Sequence, residues 1–330
     1  MKSYAVLWAA CCVVLSTPAL AEAPSFDCAK ASTVVERTIC KEAGLSAMDR
    51  KLTATYAAKL ALISEPGRKA FRDGQRQWIG YVGVLCDTTK LPKASEPQAP
   101  KDCIKEKYDE RQKQLDGALS TIGGIRFLRT DVFKAVKSNP ADQTEWAPPF
   151  GTLEVSVLQI DAPKTRAEQL FNAAFDTLAK KEARAFTDGS EDRKLRYDTI
   201  TVTGTMISVR TSVYYYGHGA AHGMYGDSMV HWLRGDGREL KATDVFTGKW
   251  KSFLRERCFR DVKQYGFVET VKDLNDSPQD PKRWIFTKEG LTVVFNPYEV
   301  ASYAEGTREV KIPWNTLKPY LSKTAPIGPS

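Results

Sequence analysis

Two of the chain's three histidines, His218 and His222, lie in a glycine-rich segment directly after three consecutive tyrosines. Imidazole can bind a metal ion, act as a general base or donate a hydrogen bond near neutral pH. Glycine lets the backbone adopt positive φ or approach another group closely. The segment contains Tyr214, Tyr215, Tyr216, Gly217, His218, Gly219, His222 and Gly223. It is the first candidate for a functional site.

The helical zinc-binding pattern does not apply to these histidines. Histidines four residues apart share one helical face, as in zinc-binding helices, but the surrounding glycines favour a loop. No motif indicates a third ligand or a general base among acids such as Asp227 and Glu299. We therefore predict no metal and no cofactor, but a turn at a strand end whose histidine bonds to backbone. The less favoured alternative is a metal-dependent hydrolase that uses both histidines.

Other catalytic patterns give no better candidate. The sequence has no Gly-x-Ser-x-Gly elbow. Cys258 has the helical spacing of Trp250, Leu254 and Val262, so its thiol is predicted to be a small buried apolar group rather than a nucleophile. We predict no catalytic residues and a protein that is not an enzyme.

The tyrosines favour a binding surface instead. Side chains alternate along a strand, so Tyr215 points away from its two neighbours and at least one ring is exposed. Rigid tyrosines beside a glycine turn are typical of interfaces. The predicted binding residues are Tyr214, Tyr215, Tyr216, His218, His222 and Tyr298, and Tyr303 could join them. The competing interpretation is that the rings only cover the sheet.

Composition and the N-terminus indicate a folded, exported protein. The 330 residues, of which 42% are hydrophobic and 27% charged, allow one large or two ordinary domains. Lys2, an apolar run and the Ala-x-Ala pattern ending at Ala21 predict a signal peptide over residues 1–21, and hence a periplasmic or secreted protein. No later apolar run approaches the roughly 20 residues that span a bilayer. The formal charge of +8 is scattered, which disfavours nucleic acid as a partner.

Cysteines support a bridged N-terminal module, because export permits disulfides. Four of them precede residue 104, which suggests two bridges with three possible connectivities. We favour Cys28 with Cys40 and Cys86 with Cys103. The second bridge would close a proline-rich loop over residues 87–102, either as a staple or as an element pre-organised for a partner.

Helical periodicity predicts a small bundle in the first third of the chain. Thr33 and Glu36 have the spacing of a capping box, and apolar stripes recur at three to four residues as far as Ile122. We assign residues 22–125 to this helical domain. The prolines and lost periodicity of residues 126–149 predict a linker around a short extended piece.

The helical domain resembles the LprI-type lysozyme-inhibitor family over about residues 26–119. The resemblance rests on Cys28, Glu36, Ile39, Cys40, Leu45, Asp49, Leu52, Tyr56, Gln75, Trp78 and Cys86. It departs from the family in the proline-rich insertion and in Tyr81-Val82-Gly83, where an arginine commonly precedes the cysteine. The resemblance implies a small exported helical module with lysozyme as its partner.

The second half predicts an α+β domain over residues 150–321, followed by a tail over 322–330. Two long helices are expected over 165–186 and 249–265, packed on a sheet. The predicted strands are 153–160, 199–202, 206–216, 228–233, 291–295 and 308–312.

This half resembles the RsiV-type C-terminal domain. The motifs are Tyr215 through Gly223, Gly237-x-x-Leu240, Asp244-Val245-Phe246, Asn296-Pro297-Tyr298-Glu299-Val300, Ala304-x-Gly306 and Val310-x-Ile312-Pro313. That family includes the lysozyme-sensing ectodomain of certain anti-sigma factors and an accessory domain of some peptidoglycan deacetylases. The resemblance implies an α+β sheet with helices packed on it.

Both resemblances imply lysozyme. The leading hypothesis is an exported two-domain envelope protein that binds a lysozyme-type muramidase near residues 214–223 and blocks its cleft. The alternative is a module that binds peptidoglycan or another anionic glycan through its positive charge and exposed aromatic rings. Common lysozymes are basic, so affinity for one must come from local fit rather than long-range attraction.

Overall fold

The computed structural model of the protein describes residues 22–87, 99–139 and 148–327. The predicted signal peptide, most of the loop between Cys86 and Cys103 and part of the predicted linker lie outside the described residues. The α+β fold class is confirmed: a helical N-terminal region with two disulfides precedes a mixed sheet with helices.

The N-terminal region is a bundle of amphipathic helices. They are α1 (Val34–Lys41), α2 (Ala43–Leu62), α3 (Glu65–Leu85) and α4 (Pro100–Asp116). The capping box at α1 is confirmed, since the Thr33 hydroxyl accepts from the Glu36 amide and the Glu36 carboxylate accepts from the Thr33 amide. Both favoured disulfides are also confirmed, with Cα atoms 5.9 Å apart in Cys28–Cys40 and 5.6 Å apart in Cys86–Cys103.

A seven-stranded sheet follows in the order β1 to β7. Its strands are β1 (Leu119–Ile122), β2 (Ile125–Lys137), β3 (Phe150–Ile160), β4 (Glu191–Val202), β5 (Met206–Gly217), β6 (Met224–Leu233) and β7 (Arg238–Glu239). All neighbours are antiparallel except β3 and β4, which are parallel and joined by helix α5 (Arg166–Ala185). Phe171 and Phe175 of α5 are fully buried against this sheet.

The C-terminal part adds a second, three-stranded antiparallel sheet. It consists of β8 (Trp284–Phe286), β9 (Gly290–Phe295) and β10 (Arg308–Pro313), with helices α6 (Ala242–Val245), α7 (Trp250–Val262) and α8 (Trp314–Leu317) around it. Cys258 is a free, buried cysteine of the apolar face of α7, and burial raises the pKa of its thiol to about 12. A thiol held protonated in this way is a packing group, as predicted.

Strand β2 lies within the segment predicted to be a linker around a short extended piece. It pairs with β3 from Phe127 to Lys137, and its Leu128 and Phe133 are buried in the core of the helical bundle. This strand was not predicted, because charged residues interrupt its alternation of apolar and polar side chains. Two of them are satisfied internally: Asp131 pairs with Arg111, and Arg129 pairs with Asp198. The domain boundaries remain a prediction, but bundle and sheet share this strand.

Helix α3 approaches β2 closely through glycine. A Cβ atom on Gly74 would lie 2.6 Å from the Asp131 carbonyl oxygen, and one on Gly67 would lie 2.5 Å from Leu128 Cδ2. Next to this contact, the Arg111 guanidinium of α4 binds Asp131 at 2.6 Å and lies over the ring of Phe133. No helix among the described residues is long and apolar enough to cross a bilayer.

Candidate functional site: an aromatic cluster at the β5–β6 hairpin

The segment singled out in the sequence forms the end of the hairpin between β5 and β6. In the register of the two strands, Tyr214 lies opposite Tyr225, and Tyr215 lies opposite Met224. Gly219, in the turn, has φ of +87°, a conformation that strongly favours glycine. Gly223 is needed for a different reason, because a Cβ atom there would lie 2.4 Å from the Tyr214 hydroxyl oxygen.

Residues 296–299 clamp the edge of strand β6 next to this turn. The Asn296 side chain accepts from the Asp227 amide at 2.8 Å and donates to the Asp227 carbonyl at 3.1 Å, so it imitates a neighbouring strand. The Glu299 carboxylate accepts from the Asn296 amide and forms an ion pair with Arg283. Tyr298, held between them, has φ of +69°, which is strained for a bulky residue.

The clamp brings Tyr298 to the hairpin, where four aromatic side chains meet. The rings of His222 and Tyr303 stack with centroids 4.1 Å apart. Tyr225 meets Tyr303 edge-on at 5.7 Å, and Tyr298 lies 5.7 Å from Tyr303 on another side. We call His222, Tyr225, Tyr298 and Tyr303 the hairpin aromatic cluster. Offset and edge-to-face contacts of this kind hold rings rigidly.

Hydrogen bonds fix the orientation of the cluster. The Tyr303 hydroxyl donates to the Gly223 carbonyl at 2.8 Å, and His222 Nδ1 donates to the same oxygen at 3.0 Å. A carbonyl can only accept, so Nδ1 carries the hydrogen. His222 Nε2 is then directed to the Tyr298 hydroxyl, 3.5 Å away. The expected histidine-to-backbone bond is therefore present at His222.

The cluster is a surface feature. The exposed fraction is 45% for Tyr298 and 41% for both Tyr225 and Tyr214, and His222 is exposed as well. Beside it is a cavity of about 310 Å³, whose lining includes Tyr215, Met224, Lys282 and Arg283. Exposed rigid rings next to a concave, partly apolar surface are suited to binding rather than to core packing.

Three predicted site residues, Tyr215, Tyr216 and His218, are not part of the hairpin aromatic cluster. Tyr215 is on the opposite face of the strand from Tyr214, as alternation requires, and burial followed by the nearby Glu191 raises the pKa of its hydroxyl. The His218 side chain is only 3% exposed, with Nε2 3.3 Å from an Asp192 carboxylate oxygen. Tyr216 is half-buried, with its ring 6.1 Å from that of His218.

The three histidines do not form a joint site. His218 faces Asp192 and His222 faces Tyr298, while His231 is buried between the Ser208 hydroxyl and the Trp284 carbonyl. Burial lowers the pKa of His231 to about 4, so it is neutral at pH 7. Among residues 22–87, 99–139 and 148–327, no group of three His, Cys, Asp or Glu side chains could hold a metal ion.

Sequence reasoning omitted Tyr225 from the site. The predicted strand began at residue 228, whereas β6 begins at Met224, so Tyr225 is in the strand and opposite Tyr214. The available signal was the alternation of Tyr225, Asp227 and Met229, which share one face of β6. The structural role of Asn296 could not be predicted, because a single side chain that hydrogen-bonds to a strand edge leaves no periodic pattern in the sequence.

The residues that carry the LprI-type resemblance are mostly internal. Asp49 accepts from the Ser25 amide and the Tyr108 hydroxyl, and Gln75 accepts from Arg111. Trp78 is 3% exposed and meets Tyr108 edge-on, and Tyr56 stacks on Phe71. These side chains build the bundle and offer little surface to a partner.

Together these features define an α+β protein with a disulfide-bridged helical module and an exposed aromatic cluster on its sheet. Residues 27–115 match the family described as lysozyme inhibitor LprI, and residues 243–315 match a family described as a protein of unknown function, DUF3298. The LprI-type resemblance of the bundle is thereby confirmed. The DUF3298 match is consistent with the resemblance of the second half over a narrower range, and the RsiV-type assignment itself remains a prediction.

Individual relatives are distant. An uncharacterised protein of Rhizobium meliloti is 26% identical over 121 residues, which are 32% of this chain and 85% of that protein. A crystal structure of a DUF3298 family member from Bacteroides fragilis covers 62% of this chain and 96% of its own, with 17% identity and a TM-score of 0.45. One from Pseudomonas aeruginosa covers 62% and 97%, with 15% identity and a TM-score of 0.43.

Proposed function

We propose that the protein binds a lysozyme-type muramidase and inhibits it. The observation that carries the proposal is the match of residues 27–115 to the lysozyme-inhibitor family. The two disulfides are consistent with a periplasmic or secreted protein, which is where it would meet such an enzyme. Export through a signal peptide over residues 1–21 is part of the proposal.

The contact surface is the hairpin aromatic cluster with Tyr214. The side chains that carry the bundle's resemblance are mostly committed to its interior, so binding must use other residues. Tyr214, Tyr225 and Tyr298 expose large rings, and tyrosine contributes contact area at a low cost in conformational entropy. The sequence left the loop over residues 87–102 open as either a second contact or a structural staple, and most of it lies outside the described residues.

The chemistry of a glycosidase cleft fits this surface. Two carboxyl groups flank the scissile bond in such enzymes, and nearby rings contact the sugar. Lys282 and Arg283 bring hydrogen-bond donors to the cavity beside the cluster. With a formal charge of +8 on the whole chain, association with a basic lysozyme gains nothing from steering, so affinity depends on the local fit of the rings.

The test is inhibition and binding by the full chain purified from an exporting host. The protein is titrated at micromolar concentration into a cell-wall lysis assay with lysozymes of different classes, and binding is measured by calorimetry. We expect inhibition of at least one enzyme. Tyr298→Asn should weaken it by about tenfold or more, since a tyrosine that acts as an interface hot spot contributes about 2 kcal/mol or more.

Ile79→Ser is the matched control, because Ile79 is 61% exposed on helix α3 of the bundle. If Ile79→Ser lost binding and Tyr298→Asn did not, the proposed function would be supported, but the contact surface would be on the bundle rather than at the hairpin. If the wild-type protein neither slowed nor bound any lysozyme, the proposal itself would be wrong.

A further inference from the structure

The sheet has an open stretch between the helical bundle and the C-terminal part. Two rows of paired residues cross strands β3 to β6 on the face that Tyr214 shares with Tyr225. One row is Glu154, Lys194, Tyr214 and Tyr225, and the other is Ser156, Arg196, Ser212 and Asp227. Three strand spacings make each row roughly 14 Å long. We call this surface the cross-sheet groove.

Both ends of the groove are walled. On β2, the rows continue to Phe133 and Asp131, which are buried beneath Arg111 of α4. At the other end Tyr225 meets Tyr303 of the hairpin aromatic cluster. Between the walls the side chains are open to solvent, with exposed fractions of 48% for Lys194 and 65% for Arg196. The α4 end contains a cavity of about 350 Å³.

The acidic groups around this cavity already have partners. Asp131 is bound by Arg111 and the Ser156 hydroxyl, and Glu110 is bound by Lys107 at 2.8 Å. The Glu154 carboxylate is 14% exposed and accepts from the Tyr81 hydroxyl at 2.9 Å. These carboxylates therefore have little capacity to bind a cationic ligand.

The basic groups, in contrast, keep donors free. Lys113 is exposed and has no ion pair within the described part of the chain. Lys194 has only a loose contact, 3.5 Å, with Glu154. Arg196 binds Asp198 through Nε, which leaves its two Nη groups directed elsewhere. The groove thus combines unused cationic donors with the exposed ring of Tyr214. The Ser156 and Ser212 hydroxyls donate to Asp131 and Asp227, so towards a ligand they can only accept.

We propose that the cross-sheet groove binds a carboxylate-bearing glycan strand of the cell wall. Lys113, Lys194 and Arg196 pair with its carboxylates, charge-assisted hydrogen bonds that are stronger than neutral ones. Tyr214 packs against the apolar face of a sugar ring, and the serine oxygens accept from sugar hydroxyls. The elongated shape suits a linear polymer. The groove shares Tyr214 and Tyr225 with the proposed lysozyme contact, but its cations Lys113, Lys194 and Arg196 lie outside that contact, so glycan binding does not depend on lysozyme binding.

The experiment is co-sedimentation of the full chain with purified peptidoglycan sacculi over a range of salt concentrations. The double variant Lys194→Gln/Arg196→Gln should bind about tenfold more weakly, with a shallower salt dependence. The matched control is Lys180→Gln/Lys181→Gln, which removes the same charge from exposed positions on helix α5. It should bind like the wild type. Melting curves check that both variants are folded.

Three results would overturn the groove as a glycan site. They are no sedimentation of the wild type at low salt, equal loss in both double variants, and equal displacement by single-stranded DNA, which would indicate a generic polyanion surface. The lysozyme assay on the same variants keeps the two proposals apart. Inhibition retained by Lys194→Gln/Arg196→Gln, together with lost sedimentation, would show that these two cations bind the glycan and are not needed for lysozyme inhibition.

Discussion

The junction between the bundle and strand β2 and the hairpin aromatic cluster both contain residues that carry a family resemblance, but they differ in exposure. At the junction, Gln75 binds Arg111, and Trp78 is 3% exposed. In the cluster, Tyr298 is 45% exposed. A recognisable motif therefore has two physical meanings here. In the bundle it marks side chains that stabilise the fold, and at the hairpin it marks side chains that a partner can reach.

The two regions also use charge differently. Arg111 and Asp131 are 1% and 7% exposed, and each depends on the other because a lone buried charge is costly. The cations of the cross-sheet groove are solvated, so removing them should change the stability of the fold very little. Substitutions at the junction should thus change stability, whereas those at the hairpin and groove should change binding.

The largest effect is expected for Arg111→Met. It removes the guanidinium that binds Asp131, Gln75 and Gln114 and leaves the Asp131 carboxylate buried. Breaking a buried ion pair from one side costs about 3–5 kcal/mol of unfolding free energy. Urea denaturation measures it. Arg76→Met, at a side chain 79% exposed on α3, is the control and should stay within about 0.5 kcal/mol of the wild type.

Adding Asp131→Leu to Arg111→Met should recover part of this loss, because the unpaired charge is then absent. If Arg111→Met lowers the unfolding free energy no more than the control Arg76→Met does, the ion pair does not stabilise the junction. The proposed difference in stability between the junction and the hairpin would then be wrong.

The next largest effect on stability is expected at two glycines of helix α3, where alanine should act in opposite directions. Gly74→Ala forces a methyl group to within 2.6 Å of the Asp131 carbonyl oxygen, and it should destabilise by about 1–3 kcal/mol. Gly83→Ala has no neighbour within 4 Å and should stabilise by about 0.5–1 kcal/mol, because alanine favours the helix. Thermal melting of both variants decides it. Equal shifts of the same sign would mean that α3 does not lie so close to β2.

A pH effect is expected at His231, on the same strand as Tyr225 but buried. Its folded pKa of about 4 is below the unfolded value of 6.5, so the unfolded chain binds the proton more tightly. The stability that the fold gains from a neutral, buried His231 is fully present above pH 6.5 and is lost as the pH falls towards 4. Between pH 7 and pH 5 the loss is about 2 kcal/mol.

Urea denaturation at several pH values tests this, with His231→Gln flattening the dependence between pH 7 and 5. His222→Gln is the matched control, because it makes the same substitution at an exposed histidine. If the unfolding free energy of His231→Gln changed with pH as steeply as that of the wild type, His231 would not be the cause of the pH dependence.

The sequence allowed the fold to be predicted wherever one side of an element is apolar. The Thr33–Glu36 capping box and the apolar stripe of α5 follow from local spacing, whereas the two disulfides were the favoured pairing among three that the sequence allows. Strand β2 could not be predicted, because Arg129 and Asp131 are satisfied by partners from α4 and β4 that no local pattern reveals.

The candidate site was predictable only in part, for a related reason. The tyrosines and glycines of the hairpin are contiguous, so their turn was visible. The meeting of His222 with Tyr303 depends on a clamp 74 residues downstream of the histidine, at Asn296, whose bonds to Asp227 appear only in the folded chain. His218 lies in the same short segment, yet its side chain is buried against Asp192, which alternation and glycine content did not indicate.

The smallest stability effect, and the sharpest test of the comparison, is expected for Tyr298→Asn. Tyr298 has φ of +69°, where asparagine is tolerated better than a bulky aromatic residue, and strain of this kind costs about 1–3 kcal/mol. The substitution relieves strain but loses ring contacts with Tyr303, so the unfolding free energy should change by less than about 1 kcal/mol. The same variant should lose lysozyme inhibition. A stability loss as large as that of Arg111→Met would instead mean that the cluster is a small core with exposed edges, and that its tyrosines, like Trp78, stabilise the fold.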